Sequence, residues 1–204
     1  MPRIVAMADT HNQHAALSVP AGDILVHAGD MTGRGTLAEL EEVADWLRAQ
    51  PHAHKIVIAG NHDFALQRNP VTARALFHGL TFLEDSEATV MGLRIWGSPW
   101  QPWFHDWAFN ARRGPEIDAK WKLIPPGIDV LVTHGPPAGY GDLCDHGEAV
   151  GCVDLLRHVE RVKPRLHLFG HIHEDRGEWQ RGPTRLVNCT TSEADLPVTV
   201  VDLP

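Results

Sequence analysis

Five short apolar runs in this chain of 204 residues each lead into a polar motif. Residues 3–8 run into Asp9-Thr10-His11, residues 23–28 into Gly29-Asp30, and residues 55–59 into Gly60-Asn61-His62-Asp63. Residues 129–133 end in Thr133-His134-Gly135, and residues 165–169 lead into Gly170-His171-Ile172-His173. The runs are short and rich in small and β-branched residues, the pattern of buried strands. Each motif carries a residue type that can hold or serve a metal ion. A strand that ends in such a residue delivers it to one edge of a sheet, so five strand ends can converge on one point.

Between the second and third runs the pattern changes to a helix. Thr36 followed by Glu39 reads as a capping box, Leu37, Leu40, Ala44 and Leu47 recur at helical spacing, and Pro51 closes the element. Strand, helix and strand in that order predict parallel pairing and an α/β build. Residues 80–83, 89–90 and 93–96 read as short strands of a meander. Residues 150–162 read as a helix with Val153, Leu156 and Val159 along one side, stopped by Pro164. Residues 185–189 and 198–201 read as closing strands, and residues 98–106 and 135–149 as long loops. With no internal repeat and no linker, residues 1–204 are expected to form a single domain.

The formal net charge of -8 argues against stable binding of nucleic-acid polymers through their backbone. Two divalent ions would still add about four positive charges at one spot and attract a small phosphoester. Cys144, Cys152 and Cys189 are too few and too irregular for a disulfide framework. No apolar stretch approaches the roughly 20 residues of a membrane span. No signal segment precedes Asp9, so a cytoplasmic location is expected. Composition leaves the oligomeric state open.

Asp9 and His11 are one residue apart, and alternate side chains of an extended or turning segment point the same way, so both can reach one ion. His171 and His173 repeat that spacing and can serve one ion or two adjacent ones. Asp30 follows a glycine, which permits a tight turn, and its two oxygens can bridge two cations. Asn61 offers an amide oxygen and His134 an imidazole. Nitrogen and oxygen donors without a thiolate suit Mn²⁺, Fe, Zn²⁺ or Ni²⁺ better than a closed structural zinc site. Two metals about 3.5–4 Å apart polarise a phosphoryl group, lower the pKa of a bridging water and hold the attacking oxygen in line. His62, beside Asn61, is placed to protonate the leaving oxygen. Asp63 is expected to orient His62 as a carboxylate fixing an imidazole tautomer.

In order and content the five motifs resemble the calcineurin-like metallophosphoesterases, and the resemblance spans Asp9 to His173. It implies a four-layer α/β/β/α sandwich of two mixed sheets flanked by helices. It also implies that Asp9, His11 and His173 bind one metal, that Asn61, His134 and His171 bind the other, that Asp30 bridges them, and that His62 faces the substrate. The texts Gly97-Ser98-Pro99-Trp100-Gln101-Pro102-Trp103, Trp107-Ala108-Phe109-Asn110 and Thr133-His134-Gly135-Pro136-Pro137 are similar to the branch of mammalian metallophosphoesterase-domain-containing proteins. That likeness implies a phosphodiesterase acting by metal-bridging hydroxide on small nucleotide diesters such as 2′,3′- or 3′,5′-cyclic nucleotides, with Mn²⁺ the expected ion in vitro. A phosphomonoesterase or nuclease is the alternative on the same scaffold. A non-catalytic metal-binding interaction module is the alternative of another class.

The remaining candidates are weaker. Trp96, Trp100, Trp103 and Trp107 read mainly as a packed cap over the core, with one tryptophan near substrate. Trp100, His105 and Asn110 are the expected substrate contacts. His27, on the strand leading to Asp30, reads as a satisfied buried imidazole or a group behind the metal ligands.

Overall fold

The computed structural model describes residues 1–203. In chain order the elements are β1 (Arg3–Met7), β2 (Ile24–Ala28), α1 (Leu37–Ala49), β3 (His54–Ile58), α2 (Phe64–Arg68), α3 (Pro70–Ala75), β4 (Thr81–Phe82), β5 (Ser86–Val90) and β6 (Leu93–Ser98). There follow β7 (Gln101–Pro102), β8 (Asn110–Ala111), α4 (Pro115–Trp121), β9 (Val130–Thr133), α5 (Val153–Val162), β10 (Leu166–Phe169), β11 (Gly177–Arg181), β12 (Thr184–Asn188) and β13 (Thr199–Asp202). The two large sheets have the orders β13-β1-β2-β3-β4 and β11-β12-β10-β9-β6-β5, and β7 and β8 pair as a separate two-stranded sheet. β1 to β4 pair in parallel, as do β6, β9, β10 and β12, while β13, β11 and β5 add antiparallel edges.

Three cores account for four layers. Successive side chains of a strand point to opposite faces. Ile4, Ala6, Ile24 and Val26 of the first sheet therefore meet Ile95, Val130, Leu168 and Val187 of the second. Val5, Met7, Leu25 and Val57 face the other way, onto Leu40, Val43, Ala44 and Leu47 of α1 and onto α2 and α3. Leu131 and Trp96 on the outer face of the second sheet pack on Ile117 and Trp121 of α4 and on Leu155 and Val159 of α5. The result is the α/β/β/α sandwich of two mixed sheets.

The cap of α1 forms as its sequence predicts: the Glu39 amide donates to Thr36 Oγ1 at 3.2 Å, and the Thr36 amide donates to Glu39 Oε2 at 2.9 Å. Leu37 faces solvent and Val43 takes its place in the buried stripe. α5 is turned from its expected face. It starts at Val153, which is 59% exposed, and it buries Leu155, His158 and Val159. A histidine is tolerated on that face because His158 Nε2 lies 2.8 Å from Asp118 Oδ1 and its Nδ1 accepts from Arg161. α2, α3 and α4 span only 5 to 7 residues, too few turns for a periodic signal, and β11 is a mostly polar edge strand. No helix among the described residues is long and apolar enough to cross a membrane.

The topology places the five motifs together. Asp9, Asp30 and Asn61 lie just beyond the carboxyl ends of β1, β2 and β3 in one sheet. His134 and His171 lie beyond β9 and β10 in the other. Ala8 joins the two, bridging to Thr190 and donating its amide to the Cys189 carbonyl at 3.1 Å. The crevice at the carboxyl ends of parallel strands is where α/β sheets bind ligands.

Candidate metal centre

Backbone geometry aims the candidate ligands. Asp9, His11, Asp30 and His171 have φ of 57°, 40°, 54° and 74°. These are left-handed conformations that cost a non-glycine residue on the order of 1–3 kcal/mol. They persist because cross-strand bonds over-determine them. The Asp9 amide donates to Gly29 O at 3.0 Å, the His11 amide to Asp30 O at 3.2 Å, and the His171 amide to Asp9 Oδ2 at 2.9 Å. Two glycines give the side chains room. A Cβ on Gly60 would strike Asp30 Oδ1 and the His134 ring, and one on Gly170 would strike Asp9 Oδ2 and Ala8 Cβ.

Three imidazoles are anchored on backbone carbonyls through Nδ1: His11 on Thr32 at 3.3 Å, His134 on Ala28 at 3.0 Å and His62 on Gly33 at 2.9 Å. A proton on Nδ1 leaves Nε2 as the free donor. His134 Nε2 then faces Asn61 Oδ1 at 2.8 Å and Asp30 Oδ2 at 3.4 Å. A lone pair aimed at two oxygens requires a proton or a cation between them. Ligand atoms of Asp9, His11 and His173 lie within 4.8 Å of one another, as do those of Asp30, His134 and His171. A third group joins His11 and Asp30 to His62. This donor set fits two divalent ions in neighbouring positions, with Asp30 next to both.

The buried charges are strongly coupled. Burial opposes ionisation of Asp30, but His134, His11 and His62 together hold its carboxyl well below the usual carboxylate range. Burial likewise lowers His134, yet the adjoining Asp30 more than offsets this and raises it to about 9. Burial takes His171 down to about 3, with His134 adding to the effect. His27 is brought to about 3 by burial and bonds Thr10 Oγ1 through Nε2 at 3.0 Å, directly behind the Asp9 motif.

Asp63 has a different role from the expected one. Its carboxylate accepts from the Gly60 amide at 2.8 Å, the Thr32 amide at 3.1 Å and Thr32 Oγ1 at 2.8 Å. The partner of the His62 ring is the Gly33 carbonyl, because Asp63 is turned inward and spans the β2 and β3 loops. Burial first, then the Asp30 charge, raises the Asp63 pKa.

A cleft of about 280 Å³ opens over the centre, lined by five of the candidate ligands with His62, Phe104, Trp107, Glu174 and Glu193. Trp107 is the tryptophan at the site, stacked on His62 at 4.1 Å and 30°. The three expected substrate contacts lie outside this lining. Trp100 donates Nε1 to Asp85 Oδ2 at 2.8 Å under the Lys120 ammonium, and packs into the core. Asn110 donates Nδ2 to the Phe104 and His105 carbonyls at 3.2 and 2.8 Å and so closes the loop 104–110. His105 is exposed at the tip of that loop with its ring against Phe104 at 4.2 Å. The loop thus presents Phe104 and Trp107 instead. The tryptophan cluster was the only signal for Trp107 in the sequence, and it did not single that residue out.

Residues 2–175 match the family profile of calcineurin-like phosphoesterases. The chain is also 42% identical, over 231 aligned positions, to human metallophosphoesterase domain-containing protein 1, covering 99% of this chain and 71% of that protein. The chain is a calcineurin-like phosphoesterase. Family membership makes it a metal-dependent phosphoesterase of the binuclear divalent-metal class, acting on small phosphoesters. Solved structures share the fold at lower identity. The TT1561 protein of Thermus thermophilus superposes with TM-score 0.66 at 11% identity, over 98% of each chain. A protein described as a novel archaeal phosphodiesterase superposes with TM-score 0.51 at 15% identity, over 98% of this phosphoesterase and 93% of that chain.

Proposed function

We propose that this phosphoesterase is a phosphodiesterase that cleaves small nucleotide diesters, 2′,3′- or 3′,5′-cyclic nucleotides among them. One observation carries the reading: Asp30 adjoins two ligand groups at once, and His62 stands beside both over an open cleft. Asp9, His11 and His173 would hold one ion and Asn61, His134 and His171 the other, with Asp30 placed to serve both. When bound, two divalent ions supply Lewis acidity toward the phosphoryl oxygens and bring the pKa of a water molecule toward neutrality.

The chain's own residues do the rest. His62, fixed by its Nδ1–H on the Gly33 carbonyl, presents Nε2 to the cleft; with Nε2 also protonated, the ring delivers that proton to the leaving oxygen and returns to the Nδ1–H tautomer. Trp107 stacks on that ring and holds its plane. Phe104 and Trp107 make the apolar wall against which the organic group of the ester rests. The net charge of -8 supports a small substrate over a polyanion.

The test compares bis-p-nitrophenyl phosphate with p-nitrophenyl phosphate after metal has been stripped and Mn²⁺ restored. Metal-dependent turnover favouring the diester is expected, followed by turnover within a panel of cyclic nucleotides. A monoester preference would overturn the diester assignment.

A further inference from the structure

The cleft carries more negative charge than metal ligation requires. Asp9 and Asp30 belong to the two ligand groups, whereas Glu174 and Glu193 line the cleft and belong to neither. Among the described residues, no Lys or Arg lines it to offset them. Both carboxylates are tied to ligand segments. Glu174 directly follows His173, and the carbonyls of Ile172 and Asp175 on either side accept from Asn188 Nδ2 at 2.8 and 3.0 Å. The Glu193 amide donates to the Asp9 carbonyl at 2.9 Å. Glu193 is the middle of three consecutive left-handed residues, Ser192, Glu193 and Ala194, at φ 45°, 59° and 73°. Strain of that kind persists only where surrounding bonds impose it. Here it turns the chain so that an acidic side chain reaches the mouth of the cleft.

We propose that Glu174 and Glu193 form a charge filter, disfavouring dianionic phosphate monoesters and inorganic phosphate relative to monoanionic diesters. This rests on the phosphodiesterase reading and sharpens its substrate class. Two divalent ions bring about four positive charges. Asp9, Asp30, Glu174 and Glu193 match that number, so the cleft as a whole is close to neutral and has little net attraction for a second negative charge. Diester cleavage yields a monoester dianion, so the same two carboxylates speed product departure.

The test is calorimetric titration of the Mn²⁺-loaded wild type and of Glu174→Gln/Glu193→Gln at pH 8 and low salt. The probes are inorganic phosphate and dimethyl phosphate, with metal content measured in parallel. Removing both charges is expected to tighten phosphate binding by about fivefold and dimethyl phosphate binding by about twofold, because a dianion feels each carboxylate twice as strongly. Both effects should shrink in high salt, since the two side chains sit at the solvent-facing rim. Equal shifts for the two probes, or none, with metal content intact would overturn the filter. Loss of metal would overturn it too, by making these residues ligands. Should the double variant fail to fold, each single Gln variant is read in the same way at about half the effect on the logarithmic scale. The comparison needs no turnover. A wild type inactive on every diester would refute the phosphodiesterase reading and still leave the filter decided by binding.

Discussion

His62→Ala separates the two roles the geometry allows this residue. Its ring nitrogen lies within 4.8 Å of ligand atoms of His11 and Asp30, close enough for it to be a metal ligand. Its Nδ1 is committed to Gly33 and its ring to Trp107, which leaves Nε2 for the substrate. Removing a general acid costs about two to four decades in rate, or roughly 3–5 kcal/mol of transition-state stabilisation. The loss should depend on the leaving group. An alkoxide leaving from a nucleoside diester needs the proton and should show the full effect. A p-nitrophenolate departs readily unprotonated and should lose about tenfold or less, below the usual range for an acid–base group. The assay is kcat/KM on bis-p-nitrophenyl phosphate and on a 2′,3′-cyclic nucleotide, with metal stoichiometry measured on the same preparations. Two ions retained and a larger loss on the nucleotide would support the assignment. A fall to one ion, or equal losses on both substrates, would refute it.

Other perturbations test the supporting structure. Gly60→Ala should drive a methyl into Asp30 and His134, destabilise by about 1–3 kcal/mol and weaken metal binding; an unchanged metal affinity would show that the loop relaxes freely. Asp63→Ala strands the Gly60 amide and both Thr32 donors. It should cost about 3 kcal/mol in chemical denaturation, whereas a loss of activity without loss of stability would restore the direct His62 partnership. His134, raised to about 9 beside Asp30, binds a proton at pH 7 that a cation must displace. Metal affinity should therefore rise with pH up to about 9. Calorimetry in buffers of different ionisation enthalpy should show at least about one proton released per protein loaded at pH 7, and no release would contradict the His134–Asp30 coupling.

The strand-end motifs, the parallel α/β order and the Thr36 cap were legible in the sequence because each is encoded within a few neighbouring residues. A buried strand needs a continuous apolar run, a helix start needs its cap, and a tight approach needs its glycine. The order of Asp9, Asp30, Asn61, His134 and His171 along the chain was enough to predict strand ends delivering ligands to a common point, while their division between two sheets was implied only by the family resemblance. Which loop side chains meet above that edge was not encoded locally. Trp107 reaches His62 from 45 positions away, and Glu193 is placed by a bond to Asp9 from the far end of the chain. Trp100, His105 and Asn110 stood in equally suggestive text, yet packing sent them to Asp85, to solvent and to the loop's own carbonyls. The inward turn of Asp63 and the burial of Leu155 and His158 in place of Val153 and Leu156 on α5 have the same origin. Local patterning sets which side chains a segment offers; the long-range fit of one layer against the next decides which of them the cleft receives.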